Sequence, residues 1–80
     1  MHLKGKLIVD EKSHDVFGDY VESVSTDGVP NITGTINLPS GFWVRAGTFA
    51  KLLFDDGREI KILVTKLKLF NGLIEFEQTV

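Results

Sequence analysis

Residues 50 to 64, AKLLFDDGREIKILV, hold two alternating apolar runs on either side of an Asp-Asp-Gly turn signal. In each run the even-numbered apolar residues share one face, as expected for strands. A two-residue loop would place Phe54 opposite Glu59 and set the two apolar faces against each other. A three-residue loop over 55–57 aligns the faces and puts Gly57 at the left-handed position of a G1-bulge hairpin. We therefore predict a hairpin in which Leu52 faces Ile60, with the next pair formed by Ala50 and Ile62.

A second hairpin is predicted in KLKLFNGLIEFE, where Asn71-Gly72 lies between two alternating segments. This dipeptide favours a two-residue type I′ turn, because both central positions of that turn need positive φ. The turn predicts a register in which apolar residues face each other and opposite charges face each other. The predicted pairs are Phe70 with Leu73, Leu69 with Ile74, Leu67 with Phe76, Lys68 with Glu75, and Lys66 with Glu77.

The apolar phase changes between these two hairpins. Ile60, Ile62 and Val64 are even-numbered, whereas Leu67 and Leu69 are odd-numbered. Both sets are expected to face the core, so one extra residue must be absorbed near Val64 to Lys66. A β-bulge there would bend one long strand, which is how small barrels close.

The rest of the chain also alternates with period 2. Residues 3–9 and 32–38 each place apolar residues on one face with a glycine among them, and residues 17–25 form a weaker strand. The segment DEKSHDVF, 10–17, is the best candidate for a turn or two of helix. We predict one all-β domain over residues 1–80. It is a five- or six-stranded antiparallel barrel or tight sandwich of the SH3-like, OB-like or PilZ-like kind.

Composition excludes several ways of stabilising so small a domain. The 80 residues include no cysteine, so disulfides and cysteine-based zinc sites are excluded. The net charge of -2 provides no general attraction to nucleic acid or anionic membranes. The apolar run from Leu7 to Val9 is too short for a signal peptide or a membrane span. We expect a cytoplasmic protein that binds neither nucleic acid nor membrane.

Catalytic and metal-binding groups are sparse. His14 has Asp15 beside it, but no serine lies in a G-x-S-x-G elbow, so DEKSHD is interpreted as a solvated loop between strands. The spacing of Asp10, Glu11, His14 and Asp15 matches no known metal loop. Asp55 and Asp56 would diverge into water at a hairpin tip and accept backbone N–H bonds there. We expect no catalytic residue, no metal and no cofactor.

A lysine-rich strand is the main indication of nucleic-acid binding. Lys61, Lys66 and Lys68 lie along it, but in the predicted register two of them face glutamates. No cluster of exposed aromatic residues accompanies them. Nucleic-acid binding is therefore disfavoured.

The segment PSGFWVRAG, 39–47, is the best candidate for a binding surface. It places Phe42, Trp43 and Arg45 between two strands, and Trp and Arg are enriched at binding hot spots. Alternatively, Phe42 or Trp43 plugs one open end of the barrel, which the thin core of a small domain favours. Exposure of Trp43 distinguishes the two alternatives.

A second apolar face is a further candidate for a binding surface. Phe49, Leu53 and Leu63 lie opposite the core face of their strands, and the predicted register pairs Phe49 with Leu63. This face is either exposed for a partner or a second copy, or covered by residues 39–47 or the N-terminal strand.

From Ser23 the chain reads SVSTDG, then GTFAKLLF, a turn, IKILV and a last strand containing EFE. These segments resemble the middle and end of a PilZ domain. Ser25 and Gly28 match its D/N-x-S-x-x-G motif, with Ser23 at the Asp or Asn position. The resemblance implies a small barrel and, through Ser25 and Gly28, cyclic di-GMP binding. The N-terminal R-x-x-x-R of that family has no counterpart, because no arginine precedes Arg45.

The chain is also similar to short bacterial β-barrel proteins with a D-G-R hairpin, a likeness that implies no function. Taken together, these patterns predict a non-catalytic interaction module that binds a protein partner or forms a homodimer. A degenerate cyclic-dinucleotide sensor is the alternative, and a small hydrolase or a single-stranded nucleic-acid binder is a weaker one.

Overall fold

Alternating sequences form six antiparallel strands that close into a barrel. The computed structural model describes residues 1–68 and 72–79. The strands are β1 (His2–Val9), β2 (Lys12–Val24), β3 (Pro30–Asn37), β4 (Phe49–Phe54), β5 (Glu59–Lys68) and β6 (Leu73–Gln78). Around the barrel their order is β1-β2-β3-β6-β5-β4, with β4 returning to β1. The predicted all-β barrel is confirmed, in its six-stranded form.

The β4–β5 hairpin has the predicted three-residue loop. Leu52 pairs with Ile60, and Phe49 with Leu63. The N–H of Phe54 donates to the carbonyl of Arg58 at 2.8 Å, and that of Gly57 donates to the carbonyl of Phe54 at 2.9 Å. Gly57 has φ of 95°, which costs glycine little and other residues more. The alignment of apolar faces therefore predicted the loop length correctly.

The β5–β6 hairpin has a different register from the predicted one. Lys66 faces Glu75, Leu67 faces Ile74, and Lys68 faces Leu73. The shift of two residues preserves both alternating faces, so the sequence pattern could not exclude it. Asn71 of the predicted turn, with Leu69 and Phe70 of the predicted pairs, lies outside the described residues.

The bulge predicted near Val64 to Lys66 is confirmed. The β5–β6 register shifts between these two residues, after Val64 has paired with Phe76. The shift turns Leu67 inward as well as Val64, so one strand supplies core residues from two phases. The hydroxyl of Thr65, the extra residue, donates to the carbonyl of Glu75 at 3.2 Å.

The prediction of a helical turn in residues 10–17 is wrong. Val9 pairs with Lys12, so β1 and β2 are joined by Asp10 and Glu11 alone. Both residues have positive φ, 50° and 67°, as a type I′ turn requires. The turn was missed because neither residue is the glycine that usually marks it. DEKSHD is therefore a tight turn leading into β2 and not a solvated loop.

The inward-facing residues form one continuous core. Leu7, Ile36, Leu52, Ile62 and Ile74 are fully buried and come from five different strands. Inward positions on β1, β2 and β3 also include Gly5, Gly18 and Gly34, where a neighbouring strand's backbone approaches too closely for a side chain. The barrel interior is therefore filled, and candidate sites must lie at its two mouths or on its outer wall.

Candidate functional site

Two tight turns hold the segment that crosses one mouth of the barrel. The N–H of Phe42 donates to the carbonyl of Pro39, and that of Thr48 donates to the carbonyl of Arg45, both at 3.1 Å. Gly41 and Gly47 occupy the third position of these turns with φ of 81° and 92°, as in type II turns. The segment 42–45 is therefore held at both ends.

Between the turns the side chains alternate inward and outward. Val44 is 3% exposed and belongs to the core, whereas Trp43 is 59% exposed. Phe42 packs against the core and stacks on His14, with ring centroids 3.7 Å apart and planes inclined by 20°. Arg45 faces solvent.

Phe42 and Val44 therefore close this mouth, and Trp43 does not. Of the two residues proposed as the plug, only Phe42 has that role. Val44 was missed, although the alternation F-W-V-R with period 2 was the signal that could have identified it.

Trp43 borders an open cavity of about 320 Å³. Leu38, Pro39 and Phe42 contribute apolar atoms to it, and Gly72 closes one side. The N–H of Leu38 donates to the carbonyl of Gly72 at 2.7 Å, which joins the two sides of the cavity. The structure thus places a large aromatic side chain beside an open hollow that has both apolar and polar lining.

The second predicted surface lies on the outer wall and not at the mouth. Phe49 is 70% exposed, while Leu53 and Leu63 are half-buried. β1 does not cover this face, because it pairs beside β4 in the same sheet. Phe49 lines a cavity of about 400 Å³ with Lys51 and Lys61, different from the cavity at Trp43. The six predicted interaction residues therefore form two surfaces.

The other mouth is covered by Arg58, which sequence reasoning did not single out. Its guanidinium carbon lies 4.8 Å from the centroid of the Phe54 ring and 6.0 Å from that of Tyr20. One guanidinium nitrogen donates to the Tyr20 hydroxyl at 3.1 Å, and another lies 3.6 Å from a carboxylate oxygen of Glu22. The Tyr20 contact and the Asp56 carboxylate raise the pKa of Arg58. Arg58 covers the apolar rings while its charge stays hydrated.

Asp56 orients this arginine. Its carboxylate accepts from the backbone N–H and from the Nε–H of Arg58, both at 3.0 Å. These contacts, the backbone bond first, hold the pKa of Asp56 below its usual value. The predicted backbone N–H bond is confirmed for Asp56, but its side chain also binds Arg58 instead of pointing only into water. Asp56 therefore helps to hold the β4–β5 loop and its arginine in place.

We expect Asp56→Asn to reduce stability at neutral pH, with the deficit vanishing on acidification. Since the folded pKa of Asp56 is lowered, its contribution is present above the unfolded pKa and lost as pH falls below about 4. Urea unfolding midpoints measured from pH 7 to pH 2.5 test this. Asp55→Asn is the matched control, and its midpoint should equal that of the wild type at pH 7. A deficit in Asp56→Asn that persists unchanged at the lowest pH would contradict the ionic role.

The residues considered for catalysis or metal binding near the N-terminus lie in β2 or in the turn before it. His14 lies half-buried in β2 beneath Phe42, and Asp15 is exposed on the other side of the strand. Within residues 1–68 and 72–79 no group of three or more His, Asp or Glu side chains could hold a metal ion.

Ser25 and Gly28, which match the PilZ-like motif, lie in the exposed β2–β3 hairpin. The Ser25 hydroxyl donates to Asp27 and lies 3.2 Å from the carbonyl of Val29. The first of these bonds lowers the pKa of Asp27. Gly28 has φ of 84° and donates its N–H to the carbonyl of Ser25 at 2.9 Å. The three-residue loop 26–28 therefore repeats the hydrogen-bond pattern of loop 55–57.

In the part of the chain that the structure describes, no helix is long and apolar enough to cross a membrane. Comparison of the chain with protein-family models, with curated proteins and with solved structures gives no match.

Proposed function

We propose that this chain is a non-catalytic interaction module, acting in the cytoplasm, that binds a protein partner through Trp43 and Arg45. The observation that carries the proposal is the exposure of Trp43, 59%, on a segment held by turns at both ends. A large aromatic side chain on a rigid backbone contributes contact area at low entropic cost.

The chemistry around Trp43 favours a partner segment that is both apolar and acidic. The neighbouring hollow of about 320 Å³ has room for an aliphatic or aromatic side chain. Arg45 has no carboxylate oxygen within 4.0 Å among the described residues, so its guanidinium is available to a partner's carboxylate. An apolar anchor followed closely by Asp or Glu would use both features.

The non-catalytic part of the proposal is supported by the positions of the candidate groups. His14 is stacked beneath Phe42, and the Ser25 hydroxyl bonds within its own hairpin. Neither residue lines any of the four cavities described in the structure.

The test is selection of peptides from a phage-displayed library on the immobilised full chain. Enriched peptides should share an apolar anchor next to Asp or Glu, and their binding should change the fluorescence of Trp43, the only tryptophan. Trp43→Ala should weaken binding of a selected peptide by about 30-fold or more, the loss expected for a tryptophan hot spot.

Val24→Ala is the matched control, because Val24 is also exposed but lies at the end of β2, outside the Trp43 cavity. It should bind the selected peptide within about threefold of the wild type, a change under 1 kcal/mol. Equal binding by the wild type and Trp43→Ala, or failure to enrich any peptide, would overturn the proposal.

A further inference from the structure

Charges on the strands are segregated into two halves of the barrel. β5, β4 and β1 are neighbours, and so are β2, β3 and β6. Glu59 is the one acidic residue in the first group, and Lys12 is the one lysine or arginine in the second. The basic half carries Lys4, Lys6, Lys51, Lys61, Lys66 and Lys68, and the acidic half carries Asp15, Asp19, Glu22, Glu75 and Glu77.

Each half also exposes apolar side chains. On the basic half Phe49 is 70% exposed, and Ile8 lies half-buried near it. On the acidic half Phe17 is 64% and Val21 63% exposed. Apolar groups among charges of one sign are typical of surfaces that meet a partner of opposite sign.

The centre of the basic half breaks a rule of strand pairing. Lys51 and Lys61 are directly opposite each other on β4 and β5, where like charges are destabilising. Neither has a carboxylate oxygen within 4.0 Å in residues 1–68 and 72–79. Both line a cavity of about 400 Å³ together with Phe49, Asp10 and Glu11, whose carboxylates lie more than 4.0 Å from the two lysine nitrogens. Carboxylates of a second copy could approach the two lysines more closely than these do.

The acidic half offers the complementary surface on the same molecule. Asp19, Glu75 and Glu77 line a cavity of about 430 Å³ on the outer wall, together with threonines and with Met1, whose ammonium group donates to a β2 carbonyl at 2.9 Å. Asp19 has the imidazole of His2 at 3.7 Å, whereas Glu75 and Glu77 have no cation within 4.0 Å among the described residues. Lysine side chains could therefore enter from outside.

We propose that the chain self-associates head to tail, with the basic half of one copy docked on the acidic half of the next. The Lys51–Lys61 pair would meet Glu75 and Glu77, and Phe49 would pack against the neighbouring copy's exposed apolar residues. Because the two halves are different surfaces, the contact is heterologous and produces a ring or an open chain of copies. It involves the wall and not the mouth, so it is independent of partner binding at Trp43.

Two charge-reversal variants test this contact. Lys51→Glu/Lys61→Glu keeps the acidic half, and Glu75→Lys/Glu77→Lys keeps the basic half. At low ionic strength the wild type should associate in sedimentation velocity experiments, and each variant alone should do so at least about tenfold more weakly. An equimolar mixture of the variants should associate again, because every reversed surface then meets its complement.

Asp55→Lys is the control for a charge change outside both contact surfaces, because Asp55 is exposed in the β4–β5 loop and lines neither cavity, and it should associate like the wild type. Circular dichroism melts of every variant report whether the barrel is intact. The proposal is overturned if the wild type remains monomeric at low ionic strength. It is also overturned if the mixture does not associate, or if only the lysine variant loses association. Binding of anionic vesicles or single-stranded DNA by the monomeric wild type would assign the basic half to such ligands instead.

Discussion

Gly18→Ala is expected to destabilise the barrel by more than about 3 kcal/mol, at the upper end of overpacking changes or beyond. Gly18 faces inward between Leu3 and Ile36, its partners on the two neighbouring strands. A Cβ atom there would lie 2.0 Å from the backbone oxygen of Thr35 and 2.9 Å from its carbonyl carbon. Since backbone cannot rotate away as a side chain does, β2 and β3 would have to separate.

The comparison for this variant is Gly28→Ala, in the β2–β3 hairpin. A Cβ atom at Gly28 meets nothing within 4 Å, and only its φ of 84° opposes the change. That costs about 1 kcal/mol or slightly more. Urea unfolding followed by circular dichroism should therefore rank the wild type above Gly28→Ala, and Gly28→Ala well above Gly18→Ala. Equal stability of the two variants would show that close strand approach does not limit the barrel.

Val44→Asp is expected to cost about 2–4 kcal/mol, because it places an unpaired carboxylate in the core. Val44 is 3% exposed, and with Phe42 it closes the mouth. If the segment 42–45 detaches from the barrel, the new carboxylate reaches water. The free energy of unfolding then falls only by the apolar burial lost at Phe42 and Val44, which limits the destabilisation. The stacked rings of Phe42 and His14 should then separate as well.

Arg45→Asp is the matched control for this prediction, since it introduces the same carboxylate one position away at an exposed site. Its stability should remain within about 0.5 kcal/mol of the wild type. Thermal melts give the two stabilities, and the His14 ring signals in NMR spectra report whether Phe42 stays stacked. If both variants are equally stable, Val44 is not a core residue and the alternation across the mouth is wrong.

Local patterns predicted those features that depend on strand faces and on turn chemistry. The loop over 55–57 and the pairing of Leu52 with Ile60 followed from aligning two apolar faces around one glycine. The bulge between Val64 and Lys66 followed from a change of phase along a single strand. Each of these required only that apolar residues face one side of the sheet.

The β5–β6 register shows where such reasoning ends. Alternation distinguishes odd shifts from even ones, and the real register differs from the predicted one by an even number. The position of β6 is set by its other neighbour, because β3 pairs Ile36 with Ile74 and Gly34 with Phe76. The turn at Asp10 and Glu11 was missed for a related reason: pairing along all of β1 imposes positive φ on a dipeptide that contains no glycine, although Asp tolerates this conformation better than most residues.

For the candidate site, the sequence identified residues whose exposure the structure shows, while their role in binding stays a prediction. It identified Trp43, Arg45 and Phe49 as partner-facing candidates, and all three are exposed. It placed Trp43 and Arg45 in a loop and Phe49 on a second face that this loop or the N-terminal strand could cover, and the structure shows that Trp43 and Phe49 line different cavities. It also assigned glutamate partners to Lys66 and Lys68, although in the observed register Lys68 faces Leu73.

Period-2 alternation and glycine-containing turns were sufficient to predict a small all-β domain, either a barrel or a tight sandwich, since both patterns involve residues near one another in the chain. Closure of the barrel set the rest. It brought β5, β4 and β1 together, so that their lysines share one wall, and it left Trp43 outside while Phe42 and Val44 fill the mouth. These features depend on contacts between residues far apart in the chain, and local alternation carries no information about such contacts.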